Sequence, residues 1–209
     1  SELSRSWRRF KRYRPGLSGT FLILLLILIA IFAPVLAPYS PEKVDTSRMG
    51  EAPSWSHPLG FDGIGRDVLS RTIYGTRVAL LVGLLSTLIS VVIGVAVGAT
   101  AGFFGGAIDT VLSRIVDTLM AFPLLVLLVT LSAVFSPSLK TTIIVIGVSV
   151  WASYARLVRA DVLSLRERDF IQSARAAGAT NARIIWRHVV PNVLGPVIVI
   201  ATLGVGGII

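Results

Sequence analysis

The chain has 209 residues, 54% of them hydrophobic and 15% charged, an apolar excess and a charge deficit that exclude an ordinary water-soluble domain. Cysteine is absent, which excludes a disulfide framework and a thiolate metal site. The net charge of +9 invites a nucleic-acid reading, but the basic residues sit beside apolar runs long enough to cross a bilayer, so the expected partner is lipid and not nucleic acid.

Residues 1–16 carry Arg5, Arg8, Arg9, Lys11, Arg12 and Arg14 against Glu2, interleaved with Trp7, Phe10 and Tyr13. A nucleic-acid arm is the alternative to a membrane anchor here; the positive-inside rule makes this end cytoplasmic. Residues 17–37 are uncharged and, at about 1.5 Å per residue, span the roughly 30 Å hydrocarbon core, so they form the first membrane helix. A cleaved signal peptide competes with that reading, but the run exceeds a usual h-region and Pro38 is a poor residue to follow a cleavage point. Residues 38–77 hold Pro41, Pro53 and Pro58, with basic residues balanced by Glu42, Asp45, Glu51, Asp62 and Asp67. Lacking a positive excess, this segment is expected outside. Ile64, Val68, Leu69 and Ile73 recur at helical spacing, with Asp67 and Arg71 as an i, i+4 pair. The pattern predicts a short amphipathic surface helix over Ile64 to Tyr74. His57 and Asp62 are the local candidates for metal ligation, but a lone histidine in a proline-containing loop reads as structural and no metal is expected.

Residues 78–101 form the second span, in which Gly94, Gly98 and Gly102 fall on one face and allow another helix to pack with backbones close together. Residues 102–114 read as a short inner loop turning at Gly105 and Gly106. The third span, residues 115–135, contains Asp117, expected to pair locally with Arg114. It also contains Pro123, expected to kink it. Irregular backbone at membrane depth is tolerated only against protein or a wet cavity, which makes Pro123 the candidate pathway position, with simple packing the competing reading. Residues 136–140 form an outer turn, and residues 141–157 a short fourth span that ends in Arg156 and Arg159 on the cytoplasmic side. Residues 158–191 carry Arg159, Arg166, Arg168, Arg175, Arg183 and Arg187 against Asp161, Glu167 and Asp169, an excess that places this loop inside. Residues 192–209 begin a fifth span, which the sequence leaves incomplete.

Within that loop, RDFIQSARAAGATNARIIWRHVVP from Arg168 to Pro191, the small residues Ser173, Ala174, Ala176 and Ala177 lead to Gly178. Glycine there predicts a helix end, since it takes the left-handed conformation without a Cβ penalty. Thr180 or Asn181 can cap a second helical run through Arg183, Ile184, Trp186 and Arg187, closed by Pro191. Small side chains let another protein approach the backbone, while Phe170, Ile171, Ile184 and Ile185 offer apolar anchors inside a rim of arginines. This is the composition of a docking element.

Lys11, Lys43 and Lys140 follow Phe10, Glu42 and Leu139, so none belongs to a phosphate-cradling G-x-x-x-x-G-K-[ST] loop. No carboxylate lies deep in a span to mark ion-coupled transport. Energy is therefore expected from a separate ATPase reached through the loop. A secondary transporter or channel would leave that loop without a purpose. A membrane enzyme lacks its paired carboxylates, histidine cluster or nucleophile, so no catalytic residue is expected.

Gln172, Ser173 and Ala174, then three residues, Gly178, and Pro191 thirteen positions later resemble the E-A-A, three residues, G, nine residues, I-x-L-P loop of bacterial ABC importer permeases. Gln172, Ser173, His188 and Val190 depart from that pattern in identity. His57 to Gly83 is similar to the segment before the second membrane helix in the peptide and nickel branch of the family, and the basic N-terminus with LAPYSP fits the same branch. The resemblance implies an all-α membrane protein with the type I ABC importer permease fold, with five transmembrane helices in this sequence and a sixth beyond its end. It implies a permease subunit in the prokaryotic cytoplasmic membrane, forming half of a path for peptides, with nickel or another small solute as the alternative. Gln172, Ser173, Ala174, Arg175, Ala177, Gly178 and Pro191 would couple it to the ATPase. The implied partners are a homologous permease in a heterodimer, two ATP-binding subunits that hold ATP and Mg, and an extracytoplasmic substrate-binding protein.

Overall fold

A computed structural model describes Phe10, Lys11 and residues 13–209; the N-terminal basic residues Arg5, Arg8, Arg9 and Arg12, with Trp7, lie outside the described residues. Among the described residues the fold is all-α, with only an isolated bridge between Phe61 and Asp67. Helices α1 (Arg14–Leu36), α2 (Val68–Phe104) and α5 (Leu139–Leu165) and the helical run Asn181–Ile208 are each long and apolar enough to cross a membrane. The bent pair α3 (Gly106–Ala121) and α4 (Leu124–Val134) makes a fifth if counted as one span. The chain divides into two compact units, residues 1–81 and 82–209.

In the first unit, α1 opens with Pro15 in its first turn, where the missing N–H has no intrahelical partner to lose. It ends at Ala37, extended at φ −76° and ψ 120°, because the following Pro38 disfavours the helical conformation. Phe21, Leu28, Ile31 and Val35 are exposed, an apolar surface suited to lipid.

Residues 38–67 fold into a compact cap. The Asp62 carboxylate accepts from the backbone N–H of Arg66 at 2.9 Å and of Ile64 at 3.0 Å, from Arg66 Nε at 2.8 Å, and from the Arg71 guanidinium. These bonds, that from the Arg66 backbone foremost, hold its carboxyl well below the usual carboxylate range. Gly65, at φ +82°, is pressed against the Asp45 carbonyl so closely that no Cβ fits. His57 is buried between Tyr39 and Phe61, each ring centroid 4.4 Å away, with Nδ1 2.9 Å from Asp67 Oδ1 and Nε2 3.1 Å from Arg48 Nη1. Burial pushes the Asp67 carboxyl up, yet the bonds from His57 and Ser70 outweigh burial and hold it low.

Two expectations are corrected here. Asp67 does not pair with Arg71: it takes His57 and caps α2 by accepting from Ser70 N–H at 2.8 Å, while Arg71 goes to Asp62. The helix starts at Val68 and not at Ile64, because residues 62–67 are consumed by the Asp62 turn. It also does not end near Tyr74 but runs unbroken from Val68 to Phe104, 37 residues in all, so the surface helix and the second span are one element.

In the second unit, α2 and α5 meet backbone to backbone. A Cβ on Gly94 would lie 2.5 Å from Tyr154 Cβ and one on Gly102 2.9 Å from the Arg159 carbonyl, while Gly98 faces the Ala155 carbonyl still more closely. Ser86 and Ser90 donate across the same contact to the carbonyls of Ile143 and Gly147, at 3.0 and 2.7 Å. Such bonds replace water that an apolar surround cannot supply. Gly105 turns the chain at φ +67° and α3 begins at once, so residues 102–114 are largely helix instead of loop.

Pro123 does more than kink a helix. Phe122, driven out of the helical region by the proline after it, is extended at φ −80° and ψ 132°, and Pro123 is extended too. Two extended residues in succession set α3 and α4 at 89°. Helix α5 is longer than residues 141–157: Ser138 caps it by accepting from Thr141 N–H at 3.1 Å, and it runs past Arg156 and Arg159 to Leu165. Arginine is a good helix former, so the helix continues through both, and α3 supplies their carboxylates. Asp117 accordingly bonds Arg156 at 2.6 Å and not Arg114.

Candidate functional site

The loop after α5 is anchored before it is presented. Ile171 and Ile184 are fully buried and join Phe103, Val158, Val162, Val189, Val193 and Val197 in one core, with Ala174, Ala179 and Ile185 packed against it. Three of the four apolar anchors expected to meet a partner thus bind the loop to its own chain. The apolar residues of the loop are legible in the sequence, but which protein covers them is not. Only Phe170, 42% exposed, stays available.

Helix α6 (Asp169–Ala176) carries Asp169 in its first turn and Arg175 in its last, both favourable to the helix dipole. It stops in a Schellman motif: Gly178 N–H donates to the Arg175 carbonyl at 2.9 Å and Ala179 N–H to that of Ala174 at 3.1 Å. Gly178 has φ +78° with no atom near a would-be Cβ, so its requirement is purely conformational. Thr180 caps α7 (Asn181–Ile184), its Oγ1 accepting from Arg183 N–H at 3.4 Å.

Pro191 does not close the second helix. A π turn over Ile185–Val189, with Val190 N–H bonded to the Ile185 carbonyl, carries the chain into α8 (Val190–Ile208) without a break. Proline cannot donate to the Arg187 carbonyl and its ring crowds it; the wider turn accommodates the ring. Asn192 Nδ2 donates to the neighbouring His188 carbonyl at 2.6 Å.

Gln172, Ser173, Arg175, Ala177 and Gly178 are exposed together along α6 and its turn, Ala174 faces partly inward, and Pro191 is exposed on the separate start of α8. Gln172 Nε2 donates to the Arg166 carbonyl at 3.3 Å, and the Arg175 guanidinium stacks 5.1 Å from the Phe103 ring centre. The surface is small-residued and basic. Trp186, read from the sequence only as part of the second helical run, is 73% exposed; its position between Arg183 and Arg187 was the available signal. At the bend, Phe122 and Leu124, on either side of Pro123, line a hollow of about 270 Å³ with Leu119, Leu127, Ser149 and Ser153, and Pro123 itself is not part of that lining.

The profile of the family described as binding-protein-dependent transport system inner membrane component matches residues 90–209. That of the N-terminal TM domain of oligopeptide transport permease C matches residues 1–53. The chain is 40% identical to the dipeptide transport system permease protein DppC of Alkalihalophilus pseudofirmus, over 96% of this chain and 66% of the relative. It is 36% identical to the protein of the same name from Haemophilus influenzae, over 99% of this chain and 72% of the relative. It is also 36% identical to the glutathione transport system permease protein GsiD of Escherichia coli, over 96% of this chain and 66% of the relative.

Proposed function

The chain belongs to the family of binding-protein-dependent transport system inner membrane components, and on that premise we propose that it is one half of the translocation path of an ATP-driven peptide importer. The carrying observation is a loop bolted to the core through Ile171 and Ile184 that exposes the small residues from Ser173 to Gly178. A docking surface backed by a packed core passes on displacement instead of absorbing it. The names of the relatives, dipeptide and glutathione permeases, favour a peptide over nickel.

In this reading ATP and Mg are held by two partner subunits, and this chain binds no cofactor. Its part is mechanical: Ile171 of α6 shares one core with Val158 and Val162 of α5 and with Val193 of α8, so a push on the loop reaches two helices at once. The exposed apolar faces of α4 and α8, including Leu125, Val129, Ile198 and Leu203, meet lipid and a homologous permease. The N-terminus and the loop near Arg175 are cytoplasmic, and an extracytoplasmic binding protein delivers substrate to the opposite face.

The test is uptake of a labelled dipeptide by proteoliposomes holding the full complex. Uptake is expected only with ATP inside and all partner subunits present. Uptake by this permease without the ATPase subunits, driven by an ion gradient, would overturn the reading.

A further inference from the structure

Helix α5 is joined to α2 and to α3 by different means. On one side, the glycines of α2 bring backbone against backbone, so neither helix can slide without collision. On the other side, α3 packs through Val116 and Leu119 near Trp151 and Ala152, but toward the loop the contact turns ionic. Arg159 meets Asp109 as a fork, Nε donating to Oδ1 at 2.5 Å and Nη2 to Oδ2 at 2.8 Å, and Ser113 Oγ adds a bond to Oδ1 at 3.2 Å. Arg156 Nη2 meets Asp117 at 2.6 Å. Between these pairs and α2 lies a cavity of about 220 Å³ that both arginines line. The space beside α3 is therefore not filled by interlocking side chains, and the pairs bridge it.

The two pairs are unequal. The side chains of Asp109 and Arg159 are 17% and 35% exposed, against 53% for both Asp117 and Arg156. A bidentate, half-buried pair retains more of its attraction than an exposed single contact, and losing one partner strands a charge.

We infer that Asp109 and Arg159 are positioning residues that make α3, and with it the break at Phe122 and Pro123, follow α5 when the loop is displaced. Helix α5 passes into α6 through only Arg166 to Arg168, and Ile171 packs in one core with Val158 and Val162. Displacement of the loop is transmitted to α5 by covalent continuity and packing. Helix α2 follows through its glycines. At this end, α3 follows through the Asp109 fork. This rests on the reading of the loop as the ATPase contact.

The experiment uses the full complex in proteoliposomes and measures dipeptide moved per ATP hydrolysed. Asp109→Asn and Arg159→Gln are expected to lower that ratio at least about fivefold, the low end of a typical coupling energy, while the subunits still co-purify. The exchanged pair Asp109→Arg with Arg159→Asp is expected to recover most of the loss, and Asp117→Asn to change the ratio less than either. Single variants with an unchanged ratio, or an assembled exchanged pair as poor as the singles, would overturn the tie. Spin labels at Thr110 of α3 and Ser164 of α5, both exposed and outside the docking surface, give a second readout. Their separation should stay constant between nucleotide-free and ATP-trapped wild-type complex and change between those states in Asp109→Asn; the same behaviour in both proteins contradicts the tie. A wild-type complex that carries no dipeptide removes the transport reading alone, and the label separation then decides on the tie.

Discussion

The Asp62 carboxylate shows how one residue organises the segment between the first two spans. Its ionised form is what Arg66, Ile64 and Arg71 bind, and its carboxyl is accordingly lowered from the ordinary value of 3.8. The stabilisation is complete at pH above that ordinary value and is lost as pH falls toward the lower folded value. The thermal midpoint of the purified protein should thus be flat from pH 7 to about 5 and fall in stronger acid. Asp62→Asn should lower the midpoint at pH 7 and flatten the acid slope, leaving the part due to other lowered carboxyls, Asp45, Glu51 and Asp67 among them. Equal midpoints for variant and wild type at pH 7 would count against this. Gly98 makes the opposite kind of demand, for space: Val there must displace the Ala155 backbone or the Val158 side chain. Overpacking of this kind costs typically about 1–3 kcal/mol, so Gly98→Val should unfold at a lower temperature than Gly63→Val, where a Cβ meets open space.

At the scale of elements, the apolar runs, the Gly178 stop and the glycine face of α2 could be read from local pattern because each depends on neighbours within a turn or two. What escaped was set partly at a distance and partly by local turns without a plain signature. Asp117 found Arg156, 39 positions away, because helix pairing decides which charges meet; Arg114 was merely close in sequence. The start of α2 was hidden by the Asp62 turn, whose hydrogen bonds use the residues that looked helical. Pro191 looked like a terminator because a π turn has no sequence signature as plain as a glycine. The membrane orientation rests on charge asymmetry, and it predicts that single cysteines at Ser47 and Ser138 react with an impermeant thiol reagent from outside sealed cells while one at Ser173 does not. Labelling of Ser173 would reverse the topology.

For the whole molecule, the proposed division of labour is that partner subunits hydrolyse ATP and this chain converts their movement into a change in the path. In that proposal, the loop from Arg168 to Gly178 is where the conversion starts. Its turn depends on Gly178 in the left-handed region, where any Cβ costs roughly 1–2 kcal/mol. Because nothing surrounds that position, the damage should stay in the turn and leave the core under Ile171 and Ile184 intact. The most direct measurement is peptide-stimulated ATP hydrolysis by the reconstituted complex, comparing Gly178→Val with Thr180→Ser, which keeps the hydroxyl that caps α7. Gly178→Val should insert and pair normally yet lose most of the stimulation, while Thr180→Ser keeps it. Equal stimulation in the two variants would show that this loop is not the coupling element.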